Sequence, residues 1–444
     1  MSGSKVSSRR DFLKASSLTV AGVSLAGSLS IGRSAHAAGS DAIRVALIGA
    51  GGRGSGAAAQ LMTADKNLKL VAVADAFEDR ATGAVARLKR EYGDQVDVPQ
   101  DRIFIGLQAY QQALASDATL VVLATPPGFR PLQYQAAIAA GKHVFMEKPC
   151  CVDGPGYRIL METNKKADEK NLMVGGGLQR RHEPPYMESV KKLQDGALGD
   201  IRLLRVYWNG GGIWNRARLP GMTEMQYQVL NWYHFCWLSG DNICEQHIHN
   251  LDVGNWVKGD AHPIEANGMG GCTARYLGSN KGTGQIFDHH FVEFTYADGT
   301  KMYSQCRHMK NCFNSVGEWA HGTKGEAKCS SVAGSDNKPE GGKKAKGRGR
   351  TKGVDGHQQE QIDLVAALRA GKRYNEGYYG ANSSMTAALG RLATYSGKVV
   401  KWDEAVASNL TQFPKVLAWD APAPVQKDAD GNYPIPMPGA FKPC

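Results

Sequence analysis

The sequence predicts an α/β fold: an N-terminal domain with a doubly wound parallel sheet, then a C-terminal α+β domain with an open, mixed, largely antiparallel sheet. Three observations predict it. An apolar strand at 43–48 runs directly into a glycine-rich loop and an alanine-rich helix. Apolar strands and helices then alternate up to residue 150. Beyond that point alternating strands follow one another, and Asp298-Gly299 marks a hairpin turn between two of them.

The charge of the chain is concentrated in two segments. Its 444 residues include 53 Lys and Arg against 42 Asp and Glu, a formal net charge of +11. Residues 1–37 carry five basic residues and one acidic residue, and the glycine-rich tract 336–352 carries seven basic and two acidic ones. Because the tract lacks aromatic residues and apolar periodicity, it is predicted to be a solvated loop. We therefore expect no nucleic-acid partner.

The N-terminus has the pattern of an export signal. A twin arginine within 8–14 precedes an apolar run of small residues over 15–31 and then Ala35-His36-Ala37. This order predicts a cleavable twin-arginine signal over residues 1–37, with the export machinery as a partner and a periplasmic or otherwise exported protein. Since the run is rich in Ser, Gly and Thr, a stable membrane anchor is not expected.

The first strand leads into the phosphate-loop pattern G-x-G-x-x-G, at Gly49-Ala50-Gly51-Gly52-Arg53-Gly54. In such a loop Gly49 makes the tight turn, Gly51 lets the backbone approach a pyrophosphate, and Gly54 lets the helix pack on the strand. Free N–H groups at the helix start then bind the phosphate. The order of strand, loop and helix predicts a Rossmann domain that binds a dinucleotide.

The second strand, 68–74, ends in Asp75, where a carboxylate can accept hydrogen bonds from the adenosine ribose. A 2′-phosphate beside a carboxylate would be repelled, so NAD is favoured over NADP. Arg80, nearby, leaves NADP open. A structural Rossmann domain with an empty site is the alternative.

Further elements are predicted from apolar periodicity and turn residues. The first domain continues with strands at 102–106, 118–124 and 142–146 and a helix at 131–140. The second has helices at 154–171, 183–194, 357–370 and 381–395 and strands at 172–175, 201–208, 265–275, 285–296 and 301–308.

Glu147-Lys148-Pro149 follows the last strand of the first domain. A lysine at the carboxyl end of this strand would lie over the nicotinamide crevice and could polarise or protonate a substrate oxygen. An exposed structural lysine is the alternative. Pro149 is expected to be a cis proline.

With these segments in place, the chain resembles the Gfo/Idh/MocA oxidoreductase family, which includes glucose–fructose oxidoreductases and inositol dehydrogenases. The resemblance rests on GAGGRG at 49–54, TPP at 125–127, AGKHVFMEKP at 140–149 and LGDIRLLRVYW at 198–208. It implies cofactor contacts from Gly52, Arg53, Thr125, Pro126, Glu147 and Lys148. It also implies a homo-oligomer, a dimer or tetramer, formed through the outer face of the second sheet.

A second chemical cluster lies between two predicted strands. Glu245, His249 and Asp252 are spaced i, i+4 and i+7 and are predicted to share one helix face. His247 and His249 would point to different faces, so no metal site is predicted. The family helix typically reads D-x-x-x-H, and the resemblance places Glu245 at the aspartate and His249 at the histidine. The glutamate departs from the pattern, although its longer side chain can still orient a substrate; a satisfied core histidine is the alternative for His249.

Arginines and aromatic residues near this helix suit a polyhydroxylated or carboxylated ligand. The candidates for substrate binding are Arg180, Arg181, Tyr233, His234 and Asp252.

The expected organisation is a signal at 1–37, a dinucleotide-binding domain at 41–150, a substrate and oligomerisation domain at 151–413, and a proline-rich tail at 414–444. The second domain contains the basic loop 336–353 and a core helix at 357–370. The nine cysteines show no CxxC spacing, so neither a zinc site nor a disulfide framework is expected.

The predicted activity is hydride transfer between a sugar, cyclitol or related polyol and a nicotinamide cofactor. His249 or Lys148 would take the hydroxyl proton, and Lys148 would stabilise the developing alkoxide. Free NAD is scarce outside the cytoplasm, so an exported enzyme is expected to hold its cofactor tightly. An NAD-dependent glycosidase that oxidises its sugar transiently and a non-catalytic sugar-binding protein are the alternatives.

Overall fold

The N-terminal half of the fold is a six-stranded parallel sheet in the order β3-β2-β1-β4-β5-β6. The computed structural model of the chain describes residues 42–273, 282–332 and 355–444. The strands are β1 (Ile43–Ile48), β2 (Leu68–Asp75), β3 (Ile103–Ile105), β4 (Leu120–Leu123), β5 (His143–Met146) and β6 (Val174–Gly176). The predicted doubly wound parallel sheet is confirmed.

An apolar core lies on each face of this sheet. Val45 and Leu47 of β1 enter one core, whereas Ala46 and Ile48 enter the other, because successive side chains of a strand point to opposite faces. The helices that connect or follow these strands are α1 (Gly52–Ala64), α2 (Glu78–Tyr92), α3 (Ala109–Leu114), α4 (Arg130–Ala139), α5 (Gly154–Glu169) and α6 (Pro184–Gln194). A strand buried on both faces reads as a continuous apolar run, which is why β1 was visible in the sequence.

The C-terminal half contains a seven-stranded sheet in the order β12-β11-β7-β10-β9-β8-β13. Its strands are β7 (Ile201–Gly210), β8 (Glu265–Gly271), β9 (His289–Thr295), β10 (Lys301–His308), β11 (Ser315–Gly322), β12 (Gly325–Lys328) and β13 (Val400–Lys401). The β7–β10 pair is parallel and the other pairs are antiparallel. The predicted open, mixed, largely antiparallel sheet is confirmed, and Asp298-Gly299 lies between the antiparallel β9 and β10 as expected.

The remaining helices lie between β7 and β8, between β12 and β13, and after β13. They are α7 (Glu224–Leu230), α8 (Cys236–Ser239), α9 (Asn242–Glu245), α10 (Ile248–Val257), α11 (Gly356–Ala370), α12 (Gly377–Ser396) and α13 (Trp402–Ala407). Although α11 lies late in the sequence, Leu364 and Val365 enter a core of the first sheet, and Gln358 donates to the main-chain oxygen of Gln60 in α1. Helix α11, from the C-terminal part of the chain, therefore packs against α1, the helix that follows the glycine loop.

The chain after α13 runs without helix or strand to residue 444 and packs through aromatic side chains. Phe413 lies edge-on to Phe129, and Trp419 contacts Phe77 with ring centroids 5.6 Å apart. The tail therefore lies against residues that follow β2 and β4. The domain boundaries expected at 150 and 413 stay predictions.

Some sequence predictions differ from the structure. Strands β11 and β12 were missed because β11 contains two glycines and directs Glu318 inward, which removes the apolar alternation. The strand predicted to reach residue 275 is observed as Glu265–Gly271, and residues 274–275 lie outside the described residues. The predicted signal at 1–37 and the predicted basic loop at 336–353 also lie outside the described residues. In the described part of the chain, no helix has the length and apolar character needed to cross a bilayer.

Candidate active site

The glycine loop between β1 and α1 has the geometry that a bound pyrophosphate requires. Gly49 has φ +94°, and a Cβ there would lie 2.5 Å from the carbonyl carbon of Ala124. A Cβ at Gly54 would collide with the main-chain oxygen of Gly49, so both positions need glycine. Gly51 and Gly52 face open space, with nothing within 4 Å of a Cβ. The open side of the loop is therefore where a phosphate can approach the backbone.

This loop borders a cleft of about 520 Å³ at the carboxyl ends of the parallel strands. Its wall includes Asp75 from the end of β2 and Thr125 and Pro126 from the end of β4. The Thr125 hydroxyl donates to Gln133, which also lines the cleft. The volume is that of an ordinary cofactor or ligand site, and the open glycines meet the chemistry of a dinucleotide.

Asp75 is held by the backbone at the base of the cleft. Its Oδ2 accepts from the N–H of Ala50 at 2.7 Å, and its Oδ1 accepts from the N–H of Phe77 at 3.0 Å. Burial raises the pKa of Asp75, against the effect of these hydrogen bonds. Arg80 lines the same end of the cleft, with its guanidinium carbon 4.7 Å from the centre of the Phe77 ring.

Arg53 links the glycine loop to the end of β5. Its Nε donates to Glu147 at 2.5 Å and its Nη2 donates to Gln60 at 2.6 Å. Glu360 of α11 lies behind this pair, 3.8 Å from Arg53. The two predicted cofactor residues Arg53 and Glu147 are thus brought together, and they connect the cleft to the neighbouring Lys148.

Lys148 is oriented by Glu245. Its Nζ donates to the Glu245 carboxylate at 3.0 Å and also to the main-chain oxygen of the same residue. Both side chains are 11% exposed, so the pair is largely shielded from water. The Lys148–Pro149 peptide bond is cis, as predicted. Residues 97 positions apart are joined here at the carboxyl edge of the first sheet.

The prediction that Glu245, His249 and Asp252 share one helix face is wrong. Glu245 ends α9, and a new helix, α10, begins at Ile248. The main-chain oxygen of Glu245 accepts from the Lys148 ammonium, whereas in a continuous helix it would accept from the N–H of His249. That N–H instead bonds to Gln246 at 3.5 Å. The Lys148 ammonium thus occupies the main-chain oxygen of Glu245 at the point where the helix breaks.

His249 is buried next to this ion pair and is neutral. Burial, and then the positive charge of Lys148, hold its pKa well below its usual range. Its ring stacks on Trp208 of β7 at a centroid distance of 5.9 Å, and among the described residues its Nδ1 has no hydrogen-bond partner. A neutral imidazole with a free nitrogen can accept a proton.

His247 points away from His249, as expected from their spacing. Its Nε2 lies 2.7 Å from the Ser304 hydroxyl in β10, and burial lowers its pKa to about 3. Over the residues the structure describes, no three His, Cys, Asp or Glu side chains are arranged to hold a metal ion.

The two predicted substrate arginines are engaged with carboxylates. Arg180 pairs with Glu318 of β11, which also accepts from Tyr186 at 2.9 Å. Arg181 makes a bidentate contact with Asp252, at 2.8 and 2.9 Å. Asp252 therefore faces Arg181 and not the Lys148 ion pair. Substrate roles for Arg180, Arg181 and Asp252 stay predictions.

Tyr233 and His234 lie beside a loop that reaches the cleft. The Tyr233 hydroxyl is 2.8 Å from Nε2 of His308, and Nε2 of His234 is 2.8 Å from the main-chain oxygen of Trp214. Trp214 packs edge-on against both rings and lines the cleft together with Trp232. Substrate binding by Tyr233 and His234 stays a prediction as well.

Several residues of this region were missed in the sequence. Trp208, Glu318, Trp214 and Arg216 come from the second sheet or the loop after β7 and touch residues of the site or line the cleft. The segment 210–218, a glycine-rich stretch with one tryptophan and two arginines, was the signal that could have drawn attention to Trp214 and Arg216.

Comparison with known proteins supports the assignment of the first sheet as a dinucleotide-binding Rossmann domain. Residues 43–194 match the Gfo/Idh/MocA oxidoreductase family, described as having an NAD-binding Rossmann fold. Inositol 2-dehydrogenase 4 of Saccharopolyspora erythraea is 29% identical over 218 residues, which are 49% of this chain and 54% of that protein. Inositol 2-dehydrogenase of Acidothermus cellulolyticus is 31% identical over 215 residues, 48% of this chain and 53% of that protein. The matches thus span about half the length of these curated relatives.

Solved structures share the fold over most of the chain. Scyllo-inositol dehydrogenase of Lactobacillus casei with bound NAD(H) and scyllo-inositol superposes with a TM-score of 0.60 at 19% identity, over 82% of this chain and 99% of that one. Aldose-aldose oxidoreductase of Caulobacter crescentus, complexed with glycerol, gives 0.59 at 16% identity, over 81% and 99%. At these identities the likeness concerns the fold. Residues 43–194 are thus similar to the Gfo/Idh/MocA oxidoreductase family, described as having an NAD-binding Rossmann fold, and the glycine loop and cleft agree with that likeness.

Proposed function

We propose that this protein is an NAD(P)-dependent oxidoreductase that acts on a CH–OH group of a cyclitol, sugar or related polyol. The observations that carry the proposal are the largely buried Lys148–Glu245 ion pair at the carboxyl end of β5 and the buried His249, whose pKa is lowered by burial and then by the charge of Lys148. Lys148 follows Glu147, which is bonded to the glycine loop through Arg53. The names of the inositol dehydrogenase relatives support a cyclitol as the first substrate class to examine.

In the proposed reaction His249 transfers the proton and Lys148 stabilises the charge on the substrate oxygen. In the oxidation direction the free nitrogen of neutral His249 accepts the proton of the substrate hydroxyl. The Lys148 ammonium, aimed by Glu245, stabilises the negative charge that develops on that oxygen. A bound nicotinamide supplies the hydride acceptor or donor. In the reverse direction protonated His249 returns its proton to the alkoxide.

Turnover with defined alcohols tests this proposal. Purified protein with NAD or NADP is offered myo-inositol, scyllo-inositol and common hexoses, and reduced nicotinamide is followed by its absorbance. Substrate-dependent formation of reduced cofactor is expected. Aglycone release from a nitrophenyl glycoside without net cofactor reduction would point to a glycosidase instead, and sugar binding without either reaction would point to a non-catalytic binding protein.

We propose further that residues 1–37 direct export by the twin-arginine route and that the exported protein carries its cofactor tightly bound. The support is the arginine pair at Arg9-Arg10 before an apolar run of small residues. Fractionation should recover the protein outside the cytoplasm without this segment, and changing both arginines to lysine should retain it inside. Denaturing the exported protein should release a stoichiometric nicotinamide dinucleotide, detected by mass spectrometry.

We also propose a homo-oligomer formed through the outer face of the second sheet. That face carries an aromatic and apolar row that includes Met269, 73% exposed, and Phe291, 36% exposed. Phe291 packs on Tyr303, and Tyr207 packs on Trp319 in the neighbouring strands. An apolar row of this kind on an open sheet favours contact with a second protein surface.

A further inference from the structure

Trp208 of β7 contacts two groups of the candidate site. Its indole stacks on the imidazole of His249, with ring centroids 5.9 Å apart and planes inclined by 28°. The guanidinium carbon of Arg180 lies 5.9 Å from the centre of the same indole. An aromatic ring restricts the orientation of a ring stacked on it and attracts a cation over its face. Trp208 thus links the position of Arg180 to that of His249.

Arg180 is held in place by a buried carboxylate, Glu318 of β11. This carboxylate accepts hydrogen bonds from three side chains, those of Arg180, Tyr186 and Asn250. The guanidinium also lies over the ring of Tyr186, at 5.6 Å from its centre. A buried carboxylate with three donors and a cation is well compensated. The second sheet therefore fixes Arg180 against Trp208.

The same carboxylate anchors the helix that carries His249. Asn250 is the next residue of α10, and its amide donates to Glu318. The main-chain N–H of Asn250 bonds to the oxygen of His247 at 3.0 Å. His249 is thus restrained twice, through its ring by Trp208 and through its backbone by Asn250. Restraint of this kind is what a proton-transferring side chain needs for a defined geometry.

The electrostatic surroundings of His249 favour the uncharged imidazole. Burial, then Lys148, then Arg180 lower its pKa. The charged or titratable groups that act on it, given with their partners, are Lys148 with Glu245, Arg180 with Glu318, His357 with Glu360, and Arg53 with Glu147. Arg180 has an additional feature, since it contacts the indole on which the imidazole stacks.

We propose that Trp208 and the Arg180–Glu318 pair are positioning residues for His249, which fix the plane of its imidazole and keep it in the neutral form that accepts a proton. The inference rests on the proposed function, in which His249 takes the proton of a substrate hydroxyl. In this role Arg180 acts on His249 and needs no contact with the substrate. Trp208 and Glu318 lie outside the segment 43–194 that carries the family match.

Direct titration of His249 tests the charge effect without any turnover. Nuclear magnetic resonance of isotope-labelled histidine is recorded on the full-length protein with NAD bound, and the His249 signal is assigned by its loss in His249→Gln. In the wild type this signal should stay in the neutral form as the pH is lowered through the range in which free histidine protonates. Arg180→Met should move its protonation to higher pH, because a neighbouring positive charge is removed.

A double variant covers the possibility that Arg180→Met does not fold, since that change leaves the buried Glu318 carboxylate without its cation. Arg180→Met combined with Glu318→Gln removes both charges and should also move the protonation of His249 upward. Arg202→Gln is the control, because Arg202 is an exposed arginine of β7 paired with Asp200. It should leave the titration unchanged. Circular dichroism confirms that each variant is folded.

Turnover of a polyol then tests the positioning effect. Trp208→Leu should lower kcat by about tenfold with KM little changed, and Trp208→Phe, which keeps an aromatic ring, should recover most of the rate. Arg180→Met should move the acidic limb of the kcat profile to higher pH, because protonated His249 cannot accept the substrate proton. Arg180→Lys retains the charge and should restore the limb towards its wild-type position.

Three results would overturn the inference. An unchanged His249 titration in both Arg180 variants would show that the guanidinium does not act on the imidazole. A raised KM with an unchanged titration would assign Arg180 to substrate binding instead. An undiminished kcat in Trp208→Leu would remove Trp208 from the role. Absence of turnover with every polyol would refute the proposed function, whereas the titration would still decide whether Arg180 controls the protonation of His249.

Discussion

At the scale of single residues, the Lys148 ammonium is the most informative group of the candidate site. It is 11% exposed and is held by two oxygens of one residue, the carboxylate and the main chain of Glu245. A charge-assisted bond in a site shielded from water fixes the direction of the ammonium more firmly than an exposed pair could. The same ammonium bonds to the main chain where the helix breaks between Glu245 and His249, so the lysine of the proposed chemistry also contacts the backbone at the break.

Replacing this lysine tests its role. Lys148→Met should lower kcat by about 100-fold or more, because the stabilisation of the developing oxygen charge is lost. Dinucleotide affinity, measured by titration, should stay close to that of the wild type, since the glycine loop is intact. Lys165→Met, at an exposed position of α5, is the matched control and should be fully active. Undiminished turnover of the Lys148 variant would show that the site lies elsewhere.

Glu360 is a second residue whose surroundings have a measurable consequence. Both of its carboxylate oxygens are buried without a hydrogen-bond partner in the described parts of the chain. Burial, and then the charge of Glu147, raise its pKa well above the usual value. The folded state therefore keeps a proton that the unfolded chain releases above its ordinary pKa of 4.5, and stability falls as the pH rises from there.

Glu360→Gln should remove the loss of stability that the buried Glu360 carboxyl causes as the pH rises. The variant should unfold at a higher temperature than the wild type, by an amount equivalent to about 1 kcal/mol or more, with a larger gain at pH 8 than at pH 5. Glu162→Gln, which alters an exposed pair with Lys166, serves as the control and should shift stability little. A destabilised Glu360 variant at pH 8 would mean that the ionised carboxylate has a partner in solution.

At the scale of elements, an ionic cluster attaches α11 to the first sheet. His182 lies 2.7 Å from Asp363 of α11 and 3.2 Å from Glu376, and Glu376 accepts from the N–H of Gly176 in β6. Burial opposes the charged imidazole, but the hydrogen bond and charge of Glu376 outweigh it and raise the pKa of His182 to about 9. The helix behind the glycine loop is therefore joined to the sheet by a protonated histidine.

The direction of the His182 pKa shift determines how the stability of the folded protein depends on pH. The folded protein holds the His182 proton more tightly than the unfolded chain, so the stabilisation is fully present below pH 6.5 and is lost as the pH rises towards 9. A shift of this size corresponds to a contribution on the order of 3 kcal/mol.

Denaturant unfolding over this range checks the prediction. The wild type should lose stability between pH 6.5 and 9, whereas His182→Gln should be less stable at low pH and show a flatter curve. Glu162→Gln, which alters an exposed pair with Lys166, should retain the wild-type slope and is the control. An equally steep loss in the His182 variant would assign the pH dependence to other groups.

Elements also differ in how well they could be anticipated. Strand β1 and its glycine loop were predicted because burial on both faces and a tight turn leave local marks in the sequence. Strand β11 was missed because its inward Glu318 is satisfied by Arg180, 138 residues away. The break after Glu245 was missed because the group that bonds to its main-chain oxygen, Lys148, lies 97 residues away.

At the scale of the whole molecule, segments around both sheets contribute residues to the candidate site. The first sheet supplies the glycine loop and Lys148, and the chain around the second supplies His249, Trp208 and Arg216. The outer face of the second sheet remains exposed, and Met269 and Phe291 pair across β8 and β9 on that face.

A charged substitution in the apolar row that contains Met269 and Phe291 should dissociate the proposed oligomer. Met269→Glu should shift the mass measured by light scattering from a dimer or tetramer towards a monomer, since a charge buried in an apolar contact is unfavourable. Val399→Glu, another exposed apolar position but outside the strands of that face, is the control and should leave the mass unchanged. A wild type that is monomeric at micromolar concentration would refute the proposal.

By itself, the sequence determined the parallel sheet, the dinucleotide loop, the mixed second sheet and the lysine at the end of β5. These features depend on patterns within one strand, turn or helix, where burial and backbone conformation restrict the residues locally. Only the tertiary structure decided that Glu245 holds Lys148, that Asp252 faces Arg181, and that Arg216 reaches the cleft. These pairings join distant segments, and no local periodicity records which charged side chain meets which across the folded chain.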